Sequence, residues 1–135
     1  MGALSSPRNP RRRAGRDALW RRVKSLGRPC WICGMPIDPS LPAGHPLCFE
    51  LDELVPVSKG GSPVDMRNVA GAHRLCNQWR SNKSISTVNA IRSEVLKRFG
   101  RWSTPGQFVE SAKAIVKGGR ASRTPIRHPK KHSSL

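Results

Sequence analysis

The sequence contains no tyrosine, only three phenylalanines, and only eight acidic residues in 135, and it has no apolar run long enough to span a bilayer. Each shortage excludes something. A chain this short with so few aromatics buries too little apolar surface to be comfortably stable, so a covalent or metal staple is expected. Without an apolar span or a lipidation signal, the membrane is not an expected partner. The N-terminal stretch is basic but lacks the apolar segment and cleavage site of a secretion signal, so the expected location is the cytoplasm. There, the four cysteines read as metal ligands sooner than as disulfides.

What is present is positive charge. Lys and Arg number 25, for a formal net charge of +17, which calls for a polyanionic partner, nucleic acid before lipid. The charge is uneven. Nine basic residues fall between Arg8 and Arg28, whereas Pro29 to Met66 holds one, Lys59, and five of the eight acids: Asp38, Glu50, Asp52, Glu53 and Asp65. Carboxylates are electrostatically unfavourable in a protein that approaches phosphates unless a cation sits among them, so this acidic island hints at a metal site.

Along the chain, residues 1–14 read as a disordered basic arm. Leu19, Trp20, Val23 and Leu26 have helical spacing, predicting an amphipathic helix over Asp17–Leu26 closed by Gly27. Cys30-Trp31-Ile32-Cys33-Gly34 has the shape of a zinc knuckle, and a Pro-rich loop follows. Leu47–Val57 alternates as a strand, with Phe49, Leu51 and Glu53 on one face and Cys48, Glu50 and Asp52 on the other. After a Gly60-Gly61 turn, Asn68-Val69-Ala70 predicts a short second strand. Helices are expected over His73–Lys83, Val88–Phe99 and Pro105–Val116, and residues 118–135 as a disordered basic tail.

Cys30-x2-Cys33 and His73-x2-Cys76 are two half-sites with zinc spacing. Together they form a Cys3His tetrahedron with no open position, which makes the zinc structural. His45-x2-Cys48 has the same spacing and competes. The first pairing is preferred because two ligands three apart on a helix share a face, while His45 and Cys48 straddle a Pro-containing junction.

From Phe49 to Lys83 the chain resembles the HNH endonuclease family, especially its small bacteriophage members. Asp52-Glu53 with Pro56 and Gly60-Gly61 matches the family's first strand and loop, Asn68 its middle Asn, and His73-x2-Cys76-Asn77 with Lys83 its metal-binding helix. The resemblance implies an α+β, ββα-metal (His-Me finger) core over residues 15–85, with helices over 86–117 flanking it. It implies cleavage of DNA phosphodiester bonds, with Asp52 and Asn77 holding Mg2+ or Mn2+ and Asn68 pinning the loop. Arg80, Lys83 and Lys59 are expected to neutralise phosphates. Many small phage nucleases of this type are associated with DNA packaging, so a terminase partner is implied as well. One residue departs from the family: Glu53 stands where the water-activating His belongs. It is either a weaker base, with an ordinary pKa of about 4.3 against about 6.5 for His, or an additional metal ligand. The competing expectation is a zinc-stapled DNA-binding accessory protein that has lost catalysis with its His. An RNA-binding knuckle using Trp31 and Trp79 as stacking platforms is a third, less economical than packing roles for both rings.

Overall fold

The computed structural model describes residues 10–118. The class is α+β: helix α1 (Pro10–Leu26), strands β1 (Phe49–Glu53) and β2 (Val69–His73), then helices α2 (Arg74–Arg80), α3 (Ile85–Phe99) and α4 (Pro105–Gly118). Residues 10–14, expected in the disordered arm, instead form the first turns of α1. Pro10 needs no amide partner there, and the Arg and Ala residues that follow favour helix. The rest of the expected arm, 1–9, and the tail from 119 to 135 lie outside the described residues. Gly27, at φ 65°, closes α1 in a left-handed conformation that suits glycine.

β1 and β2 pair antiparallel, from Phe49 opposite His73 to Glu53 opposite Val69. β1 is shorter than the Leu47–Val57 expected. A turn precedes it, with the Cys48 amide donating to the His45 carbonyl, and Asn68 takes over the backbone of Leu54 and Val55 after it. β2 is longer than expected because Gly71 and Ala72, poor strand formers, are demanded by packing. The Phe49 ring covers Gly71, where a Cβ would lie 2.5 Å from it. α2 is also shorter than predicted: His73 is still extended as its N-cap, and Ser81, at φ 52°, ends it. α3 begins three residues earlier than expected, where the Ser84 hydroxyl accepts from the Thr87 amide.

The sheet has two working faces. On one, Leu51 and Val69 pack beneath Leu19 and Val23 of α1, with Trp20 edge-on to Phe49 at 5.7 Å. On the other, Ala72 faces the main core of Ile32, Trp79, Val88, Val95, Phe108 and Ala112, built between the knuckle, α2, α3 and α4. Among the described residues, no helix is long and apolar enough to cross a membrane.

Phe108 is fully buried, with its ring 5.5 Å from Trp79 and 4.8 Å from Trp102. Phe108→Ala is therefore expected to destabilise the fold by about 3–5 kcal/mol in denaturant unfolding. Leu96→Ala, on the exposed side of α3, is expected to change stability by no more than about 0.5 kcal/mol.

Candidate metal centre

Cys30, Cys33, His73 and Cys76 converge so that their ligand atoms all lie within 4.8 Å of one another, and all four residues are buried. The knuckle makes this possible. The Gly34 amide donates to the Cys30 carbonyl at 2.8 Å and the Cys30 amide to the Met35 carbonyl at 2.9 Å, while Gly34 takes a φ of 80°. Across the site, His73 ends β2 and Cys76 sits in the first turn of α2. His73 Nδ1 lies 3.4 Å from Cys33 Sγ and 3.8 Å from Cys76 Sγ. Its Nε2 lies 2.9 Å from the Pro36 carbonyl, so the outer nitrogen carries the hydrogen and Nδ1 faces the sulfurs.

Three thiols and an imidazole in closed array can hold a metal ion such as zinc. Hydrogen bonds from Cys33 and Cys76 push Cys30 towards thiolate, and hydrogen bonds to Cys30 and Cys33 push the Cys76 thiol up. Burial acts to lower the His73 pKa, but the Cys30 and Cys33 sulfurs outweigh it and raise the value to about 10. His45 and Cys48 stay apart from this cluster: His45 Nδ1 accepts from the Leu47 amide in a turn, and Cys48 is a buried, unbridged thiol.

Beside the cluster lies a row of carboxylates on β1. Asp52 and Glu50 face α2; Glu53 faces α1. Oδ2 of Asp52 accepts from Trp31 Nε1 at 2.9 Å and from Arg80 at 2.8 Å. Burial raises the Asp52 pKa even so, against the pull of Trp31 and Arg80. Glu50 accepts from Asn77 Nδ2 and from Arg74, each at 3.0 Å, and Glu53 from Arg16 at 3.1 Å. The structure thus brings Asp52 and Asn77 to one face, whereas Glu53 leaves the strand on the other. Asn68 clamps the loop: its Oδ1 accepts from the Val55 amide, and its Nδ2 donates to the carbonyls of Val55 and Ser62. Gly61 is packed under the same loop, where a Cβ would lie 1.7 Å from the Val55 carbonyl oxygen.

The expected phosphate contacts divide. Arg80 is 3% exposed and spends its guanidinium on Asp52 and on the carbonyls of Glu53, Leu54 and Lys83, stacked over the Trp31 ring. It is an internal cation and cannot serve phosphates as the sequence suggested. Lys59 and Lys83 do come together, lining one cavity of about 360 Å3 with Asn82, Ser84 and Ser86. Lys83 also donates to the Trp79 carbonyl at 2.8 Å, and desolvation lowers its pKa. Sequence reasoning assigned no role to Glu50, Arg16 or Arg74, although strand alternation had already put Glu50 beside Asp52. It also missed Arg92 and Trp102, which hold the knuckle from outside through the carbonyls of Trp31, Ile32 and Cys33. No family model matches the chain, and no curated protein or solved structure is significantly similar to it.

Two outcomes follow from this geometry. The purified protein should carry one tightly held zinc, measurable by elemental analysis; Cys33→Ser and His73→Ala should lose it, and Cys48→Ser and His45→Ala should keep it. Asp52→Ala strands the buried Arg80 guanidinium and should lower stability by about 3–5 kcal/mol in denaturant unfolding of the zinc-loaded protein.

Proposed function

We propose that the protein is a zinc-stapled, metal-dependent endonuclease of the HNH type acting on DNA, with its reacting groups at the end of β1. The observation that carries this reading is the way Asp52 and Asn77 are held. Trp31 and Arg80 both occupy Oδ2 of Asp52, and Asn77 commits its Nδ2 to Glu50. Those bonds leave Oδ1 of each residue, and two such oxygens are the donors a hard divalent cation takes. Mg2+ or Mn2+ bound by them supplies Lewis-acid neutralisation of phosphate charge. Glu53, on the opposite face of the same strand end, accepts a proton from the attacking water. In-line displacement needs its entering and leaving groups on opposite sides of phosphorus, and a strand end with Asp52 on one face and Glu53 on the other can flank the phosphate. Arg16 orients the Glu53 carboxylate, Asn68 fixes the loop behind it, and Lys59 and Lys83 offer cations to the flanking backbone.

One specific observation favours a second reading. Every carboxylate of β1 ends on an arginine, Glu50 on Arg74, Asp52 on Arg80 and Glu53 on Arg16. A strand neutralised from within suits a DNA-binding accessory protein that does not cleave.

The two readings separate in a supercoiled-plasmid assay with Mg2+ or Mn2+ added or omitted, no chelator being used so that zinc stays in place. The nuclease should nick only with the added ion, Glu53→Gln should slow nicking about 100-fold or more, and Glu53→His should preserve or increase it. Asn77→Ala should raise the ion concentration required. Unchanged cutting by both Glu53→Gln and Asp52→Ala would sink these assignments, and binding without nicking at any ion concentration would establish the accessory role.

A further inference from the structure

With Arg80 buried, the main DNA-gripping surface must be sought elsewhere. Away from α1, several exposed cations sit beside acids: Arg98 on α3 pairs with Glu94, Arg67 with Asp65, and α4 carries Glu110 alongside Lys113. α1 differs. Arg11, Arg13, Arg21 and Arg22 are exposed on it and Lys24 is half-exposed, against a single acid, Asp17. Arg11 and Arg22 are separated by three helical turns, as are Arg13 and Lys24, so the cations form two rows about 16 Å long that bracket the solvent side.

The opposite side of α1 is fixed. Leu19 and Val23 lie on the sheet, and Arg16 reaches both the Glu53 carboxylate and the Leu51 carbonyl. The helix therefore cannot turn its charged side elsewhere without leaving β1. At 17 residues it is about 25 Å long, enough to follow roughly seven base pairs of B-form duplex at 3.4 Å each.

We propose that the solvent face of α1 is the docking surface for the phosphate backbone of duplex DNA, with Arg13, Arg21 and Arg22 as its principal contacts. This rests on the DNA-directed reading above, but not on catalysis. α1 lies between a duplex docked on this face and β1, and Arg16 is the link between the docking helix and that strand.

The test is equilibrium binding of the zinc-loaded full chain to a 20-base-pair duplex across a salt series, with no divalent ion added. Failure of catalysis leaves this readout untouched. Combining Arg13→Gln, Arg21→Gln and Arg22→Gln should weaken binding and reduce the slope of log K against log salt by up to about 2.7, or about 0.9 for each phosphate that is no longer neutralised. The corresponding triple Lys variant should keep the slope, and all variants should retain zinc and helical circular dichroism. A control pair on another face, Lys97→Gln with Arg101→Gln, should change the slope by less than about 0.9, the value of a single phosphate. An unchanged slope in the triple Gln variant, or an equal reduction in the control pair, would overturn the proposal, as would tighter binding of single-stranded RNA of the same length.

Discussion

The Cys30, Cys33, His73 and Cys76 cluster is the constraint on which the rest depends. It ties a loop near the start of the described chain to the junction of β2 and α2, some forty residues away in sequence. The surrounding core is modest, and the chain carries a large net positive charge that opposes compaction. Buried thiols in mutual contact cannot all ionise without a cation, so a metal ion held by this cluster would convert its binding energy into folding free energy. Its neighbours are arranged accordingly. Arg92 and Trp102, from α3 and just beyond it, bind the knuckle's carbonyls, so the C-terminal helices close over the loop that carries Cys30 and Cys33.

The second organising feature is electrostatic. β1 places three carboxylates within four residues, and each is met by an arginine from a flanking helix. The pairs are not equivalent. Arg74–Glu50 and Arg16–Glu53 are partly exposed, where solvent screening leaves an ion pair little net effect on stability. Arg80–Asp52 is buried, and there the geometry matters more than the attraction: Arg80 satisfies three backbone carbonyls as well as the carboxylate, so its desolvation is compensated by hydrogen bonds that fix the loop after β1.

What the sequence made legible was what local spacing encodes. Two-residue gaps between ligands picked out Cys30, Cys33, His73 and Cys76, but His45 and Cys48 share that gap, and the choice rested on an expected helical pair although His73 in fact ends β2; strand alternation put Asp52 and Glu53 on opposite faces. The role of Asn68 as a loop clamp came from the family resemblance rather than from spacing. The arginine partners were not legible, because they are joined to their carboxylates over long separations, 28 residues for Arg80 and 37 for Arg16. On a helix, Arg80 looks like a solvent-facing cation; only the packing of α2 against β1 reveals that it points inward. The early start of α1 was hidden in the same way, since a run of arginines reads as disorder until an apolar face further along holds the helix to the sheet.

The two features meet at Trp31. It lies between Cys30 and Cys33, so its position is set by the knuckle, and its indole nitrogen donates to the Asp52 carboxylate while its ring lies beneath Arg80. The cluster's loop thus does more than hold the chain together: through one side chain it holds Oδ2 of Asp52, the oxygen that Arg80 also binds. An isosteric apolar ring at residue 31 could fill the same space, but it could not carry that bond. The orientation of Asp52 therefore depends on the cluster even though no ligand of the cluster touches it.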